Sequence, residues 1–367
     1  MENLLNTNIL ELMPYKAGKP IEEIRRNFGL NKIVKLASNE NPSEVPENVK
    51  KAITNELKNI STYPDSDSFY LKKKIAENNN VGFKNVLVGA GSVEIIRMIV
   101  KAFLKPGERV LTSEKTFIMY KIAAIENSGK ESFLEAEMDG QFRFDLNKIY
   151  GMIDEKVKII FITNPNNPTG TLLPKKEIEN FIKKVPENII IVLDNAYEEY
   201  VEDQEKYFSG IDMINKKKNL IILRTFSKIY GLAGLRIGYA LGGENVISYM
   251  GRVKAPFNVT RIAQQAAISS LENDEFKISS REINIRNRKK LYNELKKMGV
   301  NVIPSETNFL MFFPDSDIKE LNDKLLREGV IIRPLRAFGV PDGMRVTVGF
   351  EEDNNFFIEK LKKVLGK

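Results

Sequence analysis

The chain reads as an α/β protein: a large domain built on a mostly parallel sheet, joined to a smaller α+β module. Two observations predict this. From about residue 85 to 240 short β-rich runs alternate with amphipathic stretches, the pattern of βαβ units. After about residue 272 the texture changes to a long charged helix followed by short strands and further helices. The length, 367 residues, suits two or three domains and a sizeable core.

The first 40 or so residues are too few to fold alone and are expected to lie across other parts of the molecule. In the large domain NVLVG, RVLTS, the eight-residue KVKIIFIT, NIIIVLD and NLIILRT are near-continuously apolar, as strands buried on both faces are. Between them SVEIIRMIVKAFLKPG reads as a helix closed by Pro106-Gly107. LPKKEIENFIKKVP reads as another, its apolar residues at helical spacing. The later module runs from the charged helix REINIRNRKKLYNELKKMG through VNVIPS, NFLMFF, a helix, GVIIRPL and MRVTVG to a final helix. Repeats, low-complexity linkers and heptads are absent from the sequence.

Composition narrows the chemistry. There is no Cys and no His, which excludes Cys nucleophiles, Ser-His-Asp hydrolases, disulfide frameworks and Cys/His zinc sites. No metal site is expected. The net charge is +7, from 56 Lys plus Arg against 49 Asp plus Glu, and lysines alternate with acids in KKEIENFIKK and LYNELKKMG. That is a solvated surface rather than a nucleic-acid footprint, so no nucleic-acid partner is expected. No stretch approaches ~18 uncharged apolar residues, so the expectation is a cytoplasmic protein with no membrane partner.

Four stretches carry the candidate chemistry, just beyond the ends of strands, where open α/β sheets bind ligands. VLVGAGSVEII is a strand, a glycine turn and a helix start, an anion site unless it is a plain turn with Ser92 as N-cap. ITNPNNPTG directs Asn164, Asn166 and Asn167 from a sharp irregular loop. In IIIVLDNAYEEY, Asp194 ends a run that should be buried, where a carboxylate needs a cationic partner, and Tyr197 follows three residues later. The alternative makes Asp194 the N-cap of a helix. Last, ILRTFSKIYGLAGLRIGYA places Thr225, Ser227 and Lys228 after a buried strand, with Arg236 eight residues beyond the lysine. Hydroxyls and a guanidinium clamp phosphates, and a lysine freed of its proton attacks carbonyls. An anion site, a buried acid, an amide and a lysine together meet the needs of pyridoxal phosphate.

These motifs, with MPYKAGKPIEE, KLASNENP, YPD, PFNVTRIAQQAA and ETNFLMF, resemble the histidinol-phosphate aminotransferase family of fold-type I pyridoxal-phosphate enzymes over nearly the whole chain. The resemblance implies a seven-stranded, mostly parallel sheet. It implies an arm over 1–30, a large cofactor domain over 49–271, and a small domain formed by 31–48 with 272–367. Lys228 would carry the cofactor as a Schiff base and move the proton, Asp194 would pair with the ring nitrogen, and Asn167 and Tyr197 would bond the phenolic oxygen. Ser92, the Val93 N–H, Thr225, Ser227 and Arg236 would hold the phosphate. Phe117 would stack on the ring, with Tyr120 left open by spacing. Tyr63 would reach the phosphate of a partner subunit, making a homodimer with shared sites. Arg345 would bind the acidic group of the amine and 2-oxo acid substrates, with Tyr15 and Asn39 near the same pocket. Many members carry a second arginine in the last helix; alignment puts Phe356 there, which leaves room for an aromatic amino acid beside L-histidinol phosphate. A phosphothreonine decarboxylase shares the scaffold.

Overall fold

The computed structural model describes residues 4–14 and 18–366. In chain order its strands are β1 (Val34–Lys35), β2 (Val86–Gly89), β3 (Arg109–Ser113), β4 (Phe133–Ala136), β5 (Val157–Thr163), β6 (Ile190–Asp194) and β7 (Leu220–Thr225). There follow β8 (Gly238–Gly242), β9 (Asn301–Val302), β10 (Phe309–Phe313), β11 (Val330–Ile331), β12 (Arg333–Pro334) and β13 (Met344–Thr347). Seven of them form the main sheet in the order β2-β8-β7-β6-β5-β3-β4. β8 runs against both β2 and β7, and the other pairings are parallel.

Alternate residues of the central strands feed two cores. Ile160, Ile162, Leu193 and Ile222 enter one face, and Ile159, Phe161, Val192 and Leu223 the other. Helices cover both faces. Ser92–Phe103 sends Ile95, Ile96 and Ile99 into the second core, and Lys175–Lys184 sends Ile178, Phe181 and Ile182 into the first. The latter helix starts after Pro174 and ends on Lys183 and Lys184, which complement its dipole.

A second, antiparallel sheet has the order β12-β13-β10-β9. Its core joins Leu310 and Val346 to Leu291 of the helix Asp274–Lys297, Leu321 of Ile318–Arg327 and Phe357 of Glu351–Leu365. β1 pairs in parallel with β11, which carries Val34 and Leu36 into that same core. The helix Ile21–Phe28 anchors through Ile24 on Ala37, Leu326 and Ile331. No helix among the described residues is long and apolar enough to cross a membrane.

The five strands expected in the main sheet are present, although KVKIIFIT contributes seven residues rather than eight. β4 and β8 were not foreseen, and GVIIRPL breaks into β11 and β12. The carboxyl ends of β5, β6 and β7 lie side by side at one edge of the sheet, and they position the site.

Candidate active site

A cleft of about 360 Å³ opens at that edge, walled on its far side by residues of the second sheet. Asp194, the last residue of β6, is 2% exposed on the cleft floor. Tyr120 donates to its Oδ2 at 2.7 Å, and the Ala196 N–H donates to its Oδ1 at 3.1 Å. Burial pushes the carboxyl up to about 6, against the Tyr120 bond, the Ala196 N–H and the Lys228 charge, all of which favour the anion. Among the described residues its close side-chain partner is a phenol, Tyr120. Asp194 caps no helix: a short 3₁₀ turn, Glu198–Tyr200, begins with Tyr197 in the capping place.

Tyr120 itself is buried under the floor, stacked on Phe161 at 4.3 Å, and its hydroxyl also meets Thr163 Oγ1 at 2.8 Å. Phe117 lines the cleft. Of the two aromatics that spacing left open, Phe117 lines the cleft and Tyr120 bonds the acid beneath it.

Lys228 follows β7 by three residues and donates from Nζ to the Ser38 carbonyl at 3.2 Å. Burial pushes its ammonium down to about 7, helped by Arg345 and Arg236 and opposed by Glu40 and Asp194. Such an amine exchanges a proton readily at neutral pH. Beside it the Tyr197 hydroxyl accepts from Asn39 Nδ2 at 2.9 Å. Asn39 is held in a left-handed conformation (φ 55°) by its N–H to Thr347 Oγ1 at 2.9 Å and by Asn308 Nδ2 on its carbonyl at 2.9 Å.

The asparagine loop divides its labour. Asn164 Oδ1 accepts the Leu173 N–H at 2.8 Å, and Asn166 bonds Thr116, Lys115 and Thr169, so both hold the loop's shape. Only Asn167 of the three lines the cleft, where its Oδ1 accepts from Arg345 Nη1.

At the other end the helix Ser92–Phe103 begins without a side-chain cap. Gly91, not Ser92, holds the capping place, with φ 82°. A Cβ there would stand 2.7 Å from Arg236 Nη2, so only glycine lets the guanidinium close on the turn. Ser92, Val93, Thr225, Ser227 and Arg236 all line this end. Open helix N–H groups beside a guanidinium and hydroxyls suit a phosphate.

The opposite wall carries Arg345 and, unforeseen, Arg333. The two are register partners across β12 and β13, so their side chains share a face of the sheet. Both line the cleft and lie 5.7 Å from the Phe338 ring. Arg345 Nη2 also donates to the Ala37 carbonyl at 2.9 Å.

Tyr63 and Phe356 stand apart from the cleft. Tyr63 is 78% exposed, stacked on Phe257 at 4.5 Å, and does not line this cleft. Tyr15 lies outside the described residues. Phe356 does not face the cleft: it packs on the core of the second sheet with Lys32 and Lys360 over its ring at 4.7 and 5.1 Å. The aligned position in the last helix is therefore outside the cleft lining, and the cleft's second wall arginine, Arg333, comes from β12.

Comparison with known proteins agrees with this geometry. The family model for aminotransferase class I and II matches residues 31–361. A histidinol-phosphate aminotransferase of Caldicellulosiruptor saccharolyticus is 43% identical over 97% of this chain and 99% of its own. The solved histidinol-phosphate aminotransferase of Clostridium acetobutylicum has a TM-score of 0.83 at 27% identity, covering 91% of this chain and 99% of its own. That of Sinorhizobium meliloti, in complex with pyridoxal-5'-phosphate, shares the fold with a TM-score of 0.88 at 23% identity over 98% of this chain and 97% of its own. The chain belongs to the class I and II aminotransferases.

Proposed function

We propose that this aminotransferase uses pyridoxal phosphate to interconvert L-histidinol phosphate plus 2-oxoglutarate with imidazole-acetol phosphate plus L-glutamate, in histidine biosynthesis. The observation that carries the reading is a cleft in which two arginines, Arg333 and Arg345, face a half-buried lysine of lowered basicity. Relatives of 43% and 40% identity over nearly the full chain carry the histidinol-phosphate aminotransferase name.

The residues present fit the cofactor. The Gly91 turn packed on Arg236 and the uncapped helix start offer its phosphate a cradle, and Asp194 keeps acceptor capacity beyond its bonds to Tyr120 and Ala196. Ser92, Val93, Thr225, Ser227 and Arg236 would hold the phosphate, Phe117 the ring face, and Asn167 and Tyr197 the phenolic oxygen. Pyridoxal phosphate supplies a carbonyl carbon for amines and a ring that draws electrons from the substrate's α-carbon. Lys228 Nζ takes and returns the α-proton, which a pKa held down to about 7 by burial permits near neutrality. Asp194 would pair with the ring nitrogen and hold a proton there, a pairing that would draw its carboxyl back down.

Arg345 and Arg333 bind the acidic end of each substrate in turn. A guanidinium fork accepts phosphate and carboxylate alike, so paired forks serve the phosphate of one substrate and a carboxylate of the other. The aromatic alternative rested on Phe356, which packs away from the cleft. We further read the enzyme as a cytoplasmic homodimer whose exposed Tyr63, with Tyr15, completes the partner's site. The small domain (31–48 and 272–367) would then supply the arginine wall, the large domain (49–271) the cofactor cradle, and the arm (1–30) a cover.

The test is steady-state L-glutamate formation from 2-oxoglutarate. L-histidinol phosphate should exceed L-phenylalanine as donor by at least ~10²-fold in kcat/KM, the size of one well-formed charged contact. Preference for phenylalanine, or carbon dioxide release from O-phosphothreonine without an oxo acid, would overturn the reading.

A further inference from the structure

The anion turn contains a residue of the wrong sign. Glu94 sits two residues after Ser92, in the first turn of the helix whose N–H groups face the cleft. A carboxylate aimed at the same space would repel a phosphate. Its side chain instead folds behind the turn and does not line the cleft. There Oε2 accepts the Ala90 N–H at 2.5 Å and Asn258 Nδ2 at 2.7 Å.

The turn is built around this contact. A Cβ on Gly89 would lie 2.6 Å from Ile95 Cγ1 and 3.2 Å from Glu94 Oε2, so the backbone passes directly over the acid. With the Ala90 N–H turned inward, the next amide bonds back locally, Gly91 N to Gly89 O at 2.8 Å. The N–H groups of Ser92 and Val93 are then the ones left at the cleft end of the helix. Asn258 ties the assembly to a second loop. Its neighbours Lys254 and Arg261 bond the carbonyls of Ser66 and Tyr63. Glu94 thus ties the anion turn to Asn258, in the segment whose Lys254 and Arg261 hold the loop bearing Tyr63.

We propose that Glu94 is a positioning residue for phosphate binding: its carboxylate touches no ligand but fixes the turn that presents the Ser92 and Val93 N–H groups, with Asn258 as its second anchor. The inference rests on the proposed use of pyridoxal phosphate, and its test separates the two. Affinities of the cofactor-free protein for pyridoxal phosphate and for pyridoxal, which lacks the phosphate, are compared among variants.

Glu94→Ala should weaken pyridoxal phosphate roughly 10- to 100-fold, as loss of a charge-assisted contact does, and leave pyridoxal within about threefold. Glu94→Gln keeps an acceptor in place without the charge and should stay within about threefold for both. If Glu94 acts only as a charge near the phosphate, both variants will bind pyridoxal phosphate more tightly, and the proposal falls. Equal losses for pyridoxal and pyridoxal phosphate in Glu94→Ala would mark a general folding defect and overturn it as well. Should Glu94→Ala not fold, Asn258→Ala removes the second anchor and should weaken pyridoxal phosphate selectively, with faster amide exchange over 62–66 and 89–91; unchanged binding and exchange would overturn the proposal. A wild-type protein that binds neither aldehyde would instead overturn the proposed function, and this inference with it.

Discussion

In the cofactor-free protein the pH at which Lys228 becomes nucleophilic is set by its surroundings, and this can be read directly. With its midpoint at about 7, half the molecules hold a neutral amine at pH 7. At the ordinary value of 10.5, only about three in ten thousand would. Reductive alkylation by a small neutral aldehyde, followed at the Lys228 peptide by mass spectrometry, should therefore rise through pH 7 and level off by about pH 8.5. Surface lysines should continue to gain about tenfold per unit to about pH 10. Arg345→Gln removes the largest depressing influence after burial, so the Lys228 midpoint must move up. Glutamine can still donate to the Ala37 carbonyl or to Asn167, which limits collapse of the wall. A wild-type midpoint near 10, or one that Arg345→Gln leaves in place, would refute the reasoning.

Three further outcomes follow from the same geometry. Asp194→Asn can still accept from Tyr120 but carries no charge to hold a ring proton, so kcat should fall about 10²- to 10³-fold. Because burial raises the Asp194 pKa in the folded state to about 6, this group's contribution to stability falls as pH rises from 3.8 to about 6 and stays unfavourable above. The cofactor-free variant should accordingly melt no lower than cofactor-free wild type at pH 7 by scanning calorimetry. Arg333→Ala should lower kcat/KM for L-histidinol phosphate roughly 10- to 100-fold while changing that for L-histidinol, which has no acidic group, less than about threefold. Phe356→Ala should leave L-histidinol phosphate and L-phenylalanine within about twofold yet cost about 1–3 kcal/mol in urea unfolding, since it removes a half-buried ring from the core of the second sheet.

What the sequence disclosed depended on whether the signal was local. The five buried strands announce themselves because parallel strands covered on both faces are apolar throughout. β4 escaped because this edge strand is half-exposed and carries Glu135. β8 escaped because GYALG, flanked by glycine at both ends, reads as a turn. Its glycine has a tertiary cause, since a Cβ on Gly238 would come within 2.9 Å of the Ser92 nitrogen and the Arg224 carbonyl. In the site, Lys228, Asp194, Asn167 and Arg236 stand in motifs that can be read locally. Arg333 does not: in GVIIRPL it is one more strand residue until antiparallel register sets it beside Arg345. Tyr120 and Asp194 are 74 residues apart, so their bond had no sequence signal. Phe356 misled because position in an alignment says nothing of which face of a helix a side chain occupies.

The most direct test of the central claim is a single turnover. Enzyme loaded with pyridoxal phosphate is mixed with L-histidinol phosphate, L-histidinol or L-phenylalanine at equal concentration, and the decay of its visible absorbance is followed. The account predicts that the phosphorylated amine reacts fastest by at least ~10²-fold, and that this advantage shrinks when Arg333 is replaced by alanine. Equal rates for L-histidinol and its phosphate, or a faster reaction with phenylalanine, would contradict the claim that the paired arginines read the substrate's phosphate.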